Sequence, residues 1–305
     1  MKNKNEYICN VLLAMEQRGL TNITPNTLSE GGNLIVHLAP HPIVARIAMV
    51  RSMEDGVKAF QTMNRELQVT RHLHAMGVPV LLPSDLAGIE PLDVDGTWMT
   101  LWEYIPRISI QPLRPEEDYL MVDNLSVNIQ SFQGELPPLG VWEGVTKSAQ
   151  RLEQQTDSRI KKLLKLYQSI NEEMRSGTRA LYPCHGDAHA RNTIASQRGW
   201  LWMDFEDVSL MPVYWDKASY VANRALMSRY HEPSFHYMLE KANESDQLED
   251  FQFAITARVL MSTLGNLDYA LRGDGDLTYA SRQLELVGNF INELPSVITK
   301  RGRRA

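Results

Sequence analysis

The period of the hydrophobic pattern changes near residue 104. Before that point, Ile8, Val11, Leu12 and Met15 share one helical face, which predicts a helix over 5–18 stopped at Gly19. Two β-rich runs, 33–39 and 43–49, flank Pro40-His41-Pro42 and read as a hairpin entered through Gly31-Gly32. Helical spacing returns over 55–76 and ends at Gly77 and Pro79. "GIEPLDVDGTWMTLWEYI" gives two strands joined at Asp95-Gly96, a favoured two-residue turn. Beyond Pro106, Pro112 and Pro115 the spacing is helical over 115–132, 141–176, 215–229, 234–242, 247–272 and 277–294. The exception is 182–205, where "NTIASQRGWLWMDFE" reads as strand, turn at Arg198-Gly199, strand. Met261, Leu264, Leu267 and Leu271 recur at helical spacing and are expected in the core.

Composition changes this picture little. With 305 residues the chain is long enough for two lobes. Hydrophobic residues make up 43% and charged residues 22%, as in an ordinary globular protein. A net charge of −6 gives no support to a nucleic-acid partner, which wants a basic face. No apolar run approaches a membrane span, and "MKNKNEYICN" lacks a signal core. Cys9 and Cys184 make no disulfide framework, so a cytoplasmic location is expected, with Cys184 a buried small hydrophobe. The basic end "KRGRRA" is expected to be solvated. Nothing in the pattern bears on oligomeric state.

The chemistry concentrates in "CHGDAHARN", residues 184–192. One reading is a zinc clip of Cys184, His185 and His189, and hence a metallohydrolase. No second Cys/His pair stands at zinc spacing, and Gly186 breaks the helix that an i, i+4 His pair needs. The other reading is phosphoryl transfer. Asp187 is followed five residues later by Asn192, and twelve residues after that by Asp204 in "WMDFED". Mg²⁺ wants hard oxygen ligands and shares them with substrate phosphates. An amide and a carboxylate from the two sides of a short hairpin meet that need, leaving Asp187 to orient or deprotonate a hydroxyl.

These stretches resemble the aminoglycoside phosphotransferase and choline kinase-like family, which shares the protein-kinase-like fold. "HGDAHARN" and "MDFED" carry most of the resemblance, supported by "WDKASY" at 215–220, "ARIAMV", "NRELQVTRHLHAMGVPV" and the hinge-like "TWMTLWEYIP". It covers roughly residues 25–220 and implies a bilobal α+β fold. A small antiparallel-sheet N-lobe with one main helix, 1–103, would bind the nucleotide. A larger, mostly helical C-lobe, 104–305, would carry the catalytic loop and the acceptor site. The implied activity is transfer of the γ-phosphoryl of ATP or GTP, with Mg²⁺, to a hydroxyl of a small acceptor. The implied catalytic set is Asp187 as base, His185 beside it, and Asp216 bracing the loop, with Asn192 and Asp204 holding Mg²⁺. Arg46 paired with Glu66, the Gly31-Gly32 turn, and the hinge at Trp102 and Tyr104 would hold the nucleotide.

Three departures from the protein-kinase pattern matter. Arg46 stands where protein kinases have Lys; it can grip phosphate but not with the same geometry. The alternative for Arg46 is an exposed strand residue paired loosely with Glu66. Gly31 and Gly32 are adjacent rather than spaced, which fits a plain turn as well as a phosphate cap. Glu206 replaces the Gly of the metal motif, and no long activation segment precedes Trp215, which favours a small acceptor over a peptide. Glu206, Asp207 and Asp268 are read as a carboxylate cluster favouring a cationic acceptor, an aminoglycoside or amino alcohol, with a sugar as a further option. The rival to catalysis is a non-catalytic nucleotide-binding module.

Overall fold

The structure is a computed structural model and describes residues 3–302. In chain order its elements are α1 (Lys4–Glu16), β1 (Thr24–Glu30), β2 (Asn33–Ala39), β3 (Ile43–Ala48), α2 (Met53–Ala75), β4 (Leu92–Asp93) and β5 (Trp98–Glu103). There follow α3 (Pro115–Ile129), α4 (Gly140–Leu152), α5 (Ser158–Arg175), β6 (Leu181–Cys184), β7 (Thr193–Ser196), β8 (Gly199–Trp202) and β9 (Ser209–Pro212). The last four are α6 (Trp215–Met227), α7 (Pro233–Glu244), α8 (Leu248–Leu271) and α9 (Leu277–Gly302). The mixed α+β fold, antiparallel sheet first and helices after, is the one the pattern predicts. The chain divides into two compact units: Met1–Gln111 with Arg191–Glu206, and Pro112–Ala190 with Asp207–Ala305. The basic end "KRGRRA" lies outside the described residues except for the backbone of 300–302.

In the first unit an antiparallel sheet runs in the order β1-β2-β3-β5-β4. Alternation along β2 sends Leu34, Val36 and Leu38 to one face, where Ala45 and Ile47 of β3 and Met99 and Leu101 of β5 join them. Tyr7, Val11 and Met15 of α1 cover this layer. Each such side chain removed from water contributes about 1.5–3 kcal/mol, so the layer holds the strands in register. α2 starts at Ser52, whose side chain accepts from Asp55 N at 3.1 Å. It ends at Gly77, whose φ of +79° is the left-handed cap that glycine provides without strain. The short β7–β8 hairpin belongs to this unit, since Leu81 N donates to Trp202 O at 2.8 Å and Trp202 N to Pro79 O at 2.9 Å.

The second unit is built round α8, whose residues 253–260 are all buried, with α4, α6 and α9 packed against it. Trp142, Trp215, Phe235 and Phe251 are fully buried there. β6 and β9 pair antiparallel, from Cys184↔Ser209 to Leu181↔Pro212.

Two expectations are corrected. The helix expected over 141–176 is two helices, because Asp157 caps a new start by accepting from Arg159 N at 2.8 Å. The sheet also has an extra strand, β1, so Gly31-Gly32 is a turn between two strands rather than a hairpin entry. In addition, Leu271, expected in the core, is 46% exposed.

Candidate active site

The second unit supplies the loop that leaves β6. Asp216, at the start of α6 and only 2% exposed, accepts from His185 N at 2.9 Å and Gly186 N at 3.1 Å. Trp215 Nε1 donates to Gly186 O at 2.8 Å. Three bonds therefore pin three consecutive peptide groups, from Cys184–His185 to Gly186–Asp187. Gly186 has φ +87°, and a Cβ there would run into the Asp207 carbonyl and Val141. Burial pushes the Asp216 carboxyl up, opposed by His185 and the two amide donors. The Asp216 carboxylate is thus committed to two backbone N–H groups of the loop.

The next residue is Asp187. Its Oδ1 is paired with Arg258 Nη2, from α8, and His189 Nε2 lies 3.2 Å from its Oδ2. Burial alone would raise the Asp187 carboxyl. The Arg258 guanidinium, with His189 and then His185, overrides that and holds it well below the usual carboxylate range. Cys184, one residue before the loop, is buried, its Sγ bonded to Ser209 O at 3.4 Å, and burial pushes its thiol up. Among the described residues no three His, Cys, Asp or Glu side chains are grouped to hold a metal ion, so the zinc clip is not formed.

The first unit carries the other half of the motif. The register Thr193↔Trp202 places the ends of the β7–β8 hairpin side by side, and Met203 N donates to Asn192 O at 3.0 Å. Asn192 and Asp204 therefore stand on neighbouring ends of one hairpin, and Asp204 takes φ +65°, a left-handed conformation that costs a non-glycine residue energy. The Asp204 side chain is 39% exposed. Asn192 and Asp204 supply an amide and a carboxylate, and so fit the hard-oxygen half-shell of a divalent cation that completes its sphere with phosphate and water.

Beside this hairpin is a compact ion cluster. Arg46, on β3 and 8% exposed, donates through Nη1 to both Glu66 oxygens, at 2.7 and 2.9 Å. The same Nη1 lies 3.1 Å from Asp204 Oδ1, and Nη2 is paired with Glu206. Glu66 also accepts from Phe205 N at 3.2 Å, while Asn33 Nδ2 donates to Glu206 at 3.2 Å. The reading of Arg46 as a loosely paired surface residue does not hold. Three carboxylates share one guanidinium, so Arg46 stays charged against its burial. Burial holds Glu66 up at about 7 against the pull of Arg46, with Asp204 and Glu206 adding to the rise.

The remaining expected residues fare unequally. Gly31 and Gly32 are exposed, take no positive φ, and a Cβ on either would meet no protein atom. Trp102 is buried with Nε1 bonded to Thr100 Oγ1 at 2.9 Å. The Tyr104 N–H, expected to serve a base, instead donates to Pro42 O at 2.9 Å, and its ring stacks on His37 with centroids 3.6 Å apart. The three carboxylates read as an acceptor cluster differ in placement. Glu206 is engaged by Arg46, Asp207 is exposed, and Asp268 is only 4% exposed. Asp268 accepts from Ser148 Oγ at 3.0 Å and Arg151 Nη2 at 2.5 Å, with Arg272 at 3.7 Å, so its charge is already compensated.

The residue that pattern reading missed is Arg258. It is the one charged residue in the run "AITARVLM", a local signal that a charge is buried there but not of its partner.

A model described as "APH: Phosphotransferase enzyme family" matches residues 44–250. None of the curated proteins matches the sequence. Among solved structures, choline kinase LicA from Streptococcus pneumoniae is similar with a TM-score of 0.64 at 14% identity, covering 93% of this chain and 98% of that one. The GDP and kanamycin complex of APH(2")-IIIa gives 0.62 at 15% identity, covering 93% and 98%. Amicoumacin kinase hAmiN, in complex with AMP-PNP, Ca²⁺ and Ami, gives 0.63 at 13% identity, covering 96% of each.

Proposed function

Since the chain belongs to the phosphotransferase enzyme family, we propose that it transfers the γ-phosphoryl group of ATP or GTP to a hydroxyl of a small-molecule acceptor. The observation that carries this reading is the placement of Asp187: a carboxylate paired with Arg258 on a loop pinned by Asp216 and Trp215, five residues before Asn192. Asp187 takes the acceptor proton as the acceptor oxygen bonds to phosphorus and the bond to the nucleoside diphosphate breaks. His185, buried in the same loop, helps keep the carboxylate ionised. Asn192 and Asp204 would hold Mg²⁺, which when bound neutralises phosphate charge. Arg46, fixed by Glu66, supplies a cation for phosphate oxygens in a geometry that Lys would not reproduce. Gly31 and Gly32 are needed by no internal contact, which suits close approach of a ligand to the turn. Trp102 backs the strand at the hinge rather than reading the base through its indole.

The acceptor is a small molecule. Choline, kanamycin and amicoumacin belong to the similar proteins and fix nothing here. Buried and paired, Asp268 does not support a cationic acceptor.

Turnover of Mg²⁺·ATP or Mg²⁺·GTP, with water and with a panel of small hydroxyl compounds as acceptors, tests the reading. Asp187→Asn is expected to lose ~10²–10⁴-fold in kcat while nucleotide binding survives. A parent protein that binds nucleotide without turnover would make it a non-catalytic binding module. Near-parent turnover in Asp187→Asn would remove Asp187 from the mechanism.

A further inference from the structure

Arg258 is an anomaly in α8. Ala254, Ile255, Ala257, Val259 and Leu260 are all 0% exposed, and the arginine among them is 4% exposed. A buried guanidinium brings a full charge and five donors that want acceptors. Yet Arg258 Nε is buried with no partner, while Nη2 is committed to Asp187 Oδ1. The side chain is thus placed for one carboxylate rather than for its own satisfaction. Its mount is rigid, because the helix that carries it is packed on almost every side. Arginine also cannot lose its proton, so its half of the pair stays charged and only protonation of Asp187 releases it.

We propose that Arg258 is a positioning residue for phosphoryl transfer: through Nη2 it anchors Oδ1 of Asp187 and so fixes the orientation of the carboxylate that receives the acceptor proton. This rests on the assignment of Asp187 above. Among the groups that face Asp187 are Arg258 from α8 and His185 and His189 from its own loop. With the guanidinium in place the carboxylate is a weak base. It orients the hydroxyl in the ground state and accepts the proton only as the oxygen–phosphorus bond forms. The compensated charge has a second consequence: Asp187 does not attract a cationic acceptor by charge alone.

Arg258→Gln and Arg258→Lys, read in two ways, test this. Turnover of Mg²⁺·ATP should fall in Arg258→Gln by ~10–10²-fold in kcat, the scale of a misplaced reacting group, with KM for ATP unchanged. Its acid limb should move to higher pH, because burial remains and the lowering partner is gone. Arg258→Lys should recover part of kcat, keeping the charge but losing the planar fork. Independently of turnover, the Asp187 carboxyl, followed by ¹³C NMR and assigned through Asp187→Asn, should titrate at higher pH in Arg258→Gln. If Arg258→Gln does not fold, Arg258→Lys should still show both shifts in smaller measure. Parent-like kcat, or an unmoved Asp187 titration, overturns the proposal. A parent without turnover would instead overturn the phosphotransferase reading and leave the titration to decide Arg258.

Discussion

Asp187 and Arg258 form a pair whose contribution to stability depends on pH. The folded carboxyl lies below its unfolded value of ~3.9, so the stabilisation is present above that pH and is lost as pH falls through the folded value. Asp187→Asn leaves Arg258 buried without its counter-charge. The expected cost at neutral pH is ~2–4 kcal/mol, less than for a fully buried pair because the Asp187 side chain is 27% exposed. Urea unfolding at several pH values checks this: the difference from the parent should be level above about pH 5 and shrink below about pH 4. A difference that is flat down to pH 2 would show that the cost is not ionic. Asp268 gives the complementary expectation. Held by Ser148 and Arg151, it is structural, so Asp268→Asn should cost ~1–3 kcal/mol and leave ATP turnover unchanged. Lost turnover in a stably folded Asp268→Asn would return it to the site. The spacing of Asp187, Asn192 and Asp204 already marks one loop and hairpin in the sequence, whereas the Arg46–Glu66 pairing followed only from the family resemblance and is formed here between β3 and α2. The role of Arg258 was not legible, because its meaning depends on a partner 71 residues away that only folding brings close.

At the scale of elements, legibility followed the strength of local signals. β2, β3 and β5 alternate or run apolar between turn residues, and α2 is bounded by a Ser cap and Gly77, so each was readable. β1, "TPNTLSE", is a polar edge strand with little buried surface, and only its pairing with β2 reveals it. The break between α4 and α5 carries neither Gly nor Pro, and the periodicity continues through it. The loop after β6 yields two expected outcomes. Gly186→Ala places a Cβ against the Asp207 carbonyl at positive φ, which should destabilise by more than ~1 kcal/mol and disturb the Asp187 backbone. Parent-like melting and turnover in that variant would show that the loop tolerates the shift. Cys184 should resist native thiol labelling while exposed Cys9 reacts, so a colorimetric thiol assay should count one group in the native protein and two after unfolding. Two reactive native thiols would mean that β6 opens readily.

At the scale of the whole molecule, the division between the units falls inside "HGDAHARN", between Ala190 and Arg191. The proposed base therefore belongs to one compact unit and the proposed metal ligands to the other. Among the described residues no helix is long and apolar enough to cross a membrane. The two proposed assignments, metal ligands and base, can be told apart by measurement. A ligand that binds the native state stabilises it by RT ln(1 + [L]/Kd), ~2.7 kcal/mol at a hundredfold excess over Kd. Nucleotide with Mg²⁺ should therefore raise the melting temperature by several degrees. Asp204→Ala removes a charged ligand, so most of the Mg²⁺-dependent part of that rise should disappear. Asn192→Ala removes a neutral one and should lose less. Asp187→Asn should retain the Mg²⁺-dependent rise even though its turnover is lost, because its carboxylate is assigned to the proton and not to the metal. Thermal shift curves across a Mg²⁺ titration, at fixed nucleotide, separate the three variants. If the Asp204→Ala and Asn192→Ala curves overlay the parent, the two hairpin residues are not ligands. If Asp187→Asn alone loses the rise, the metal and the base have been assigned the wrong way round.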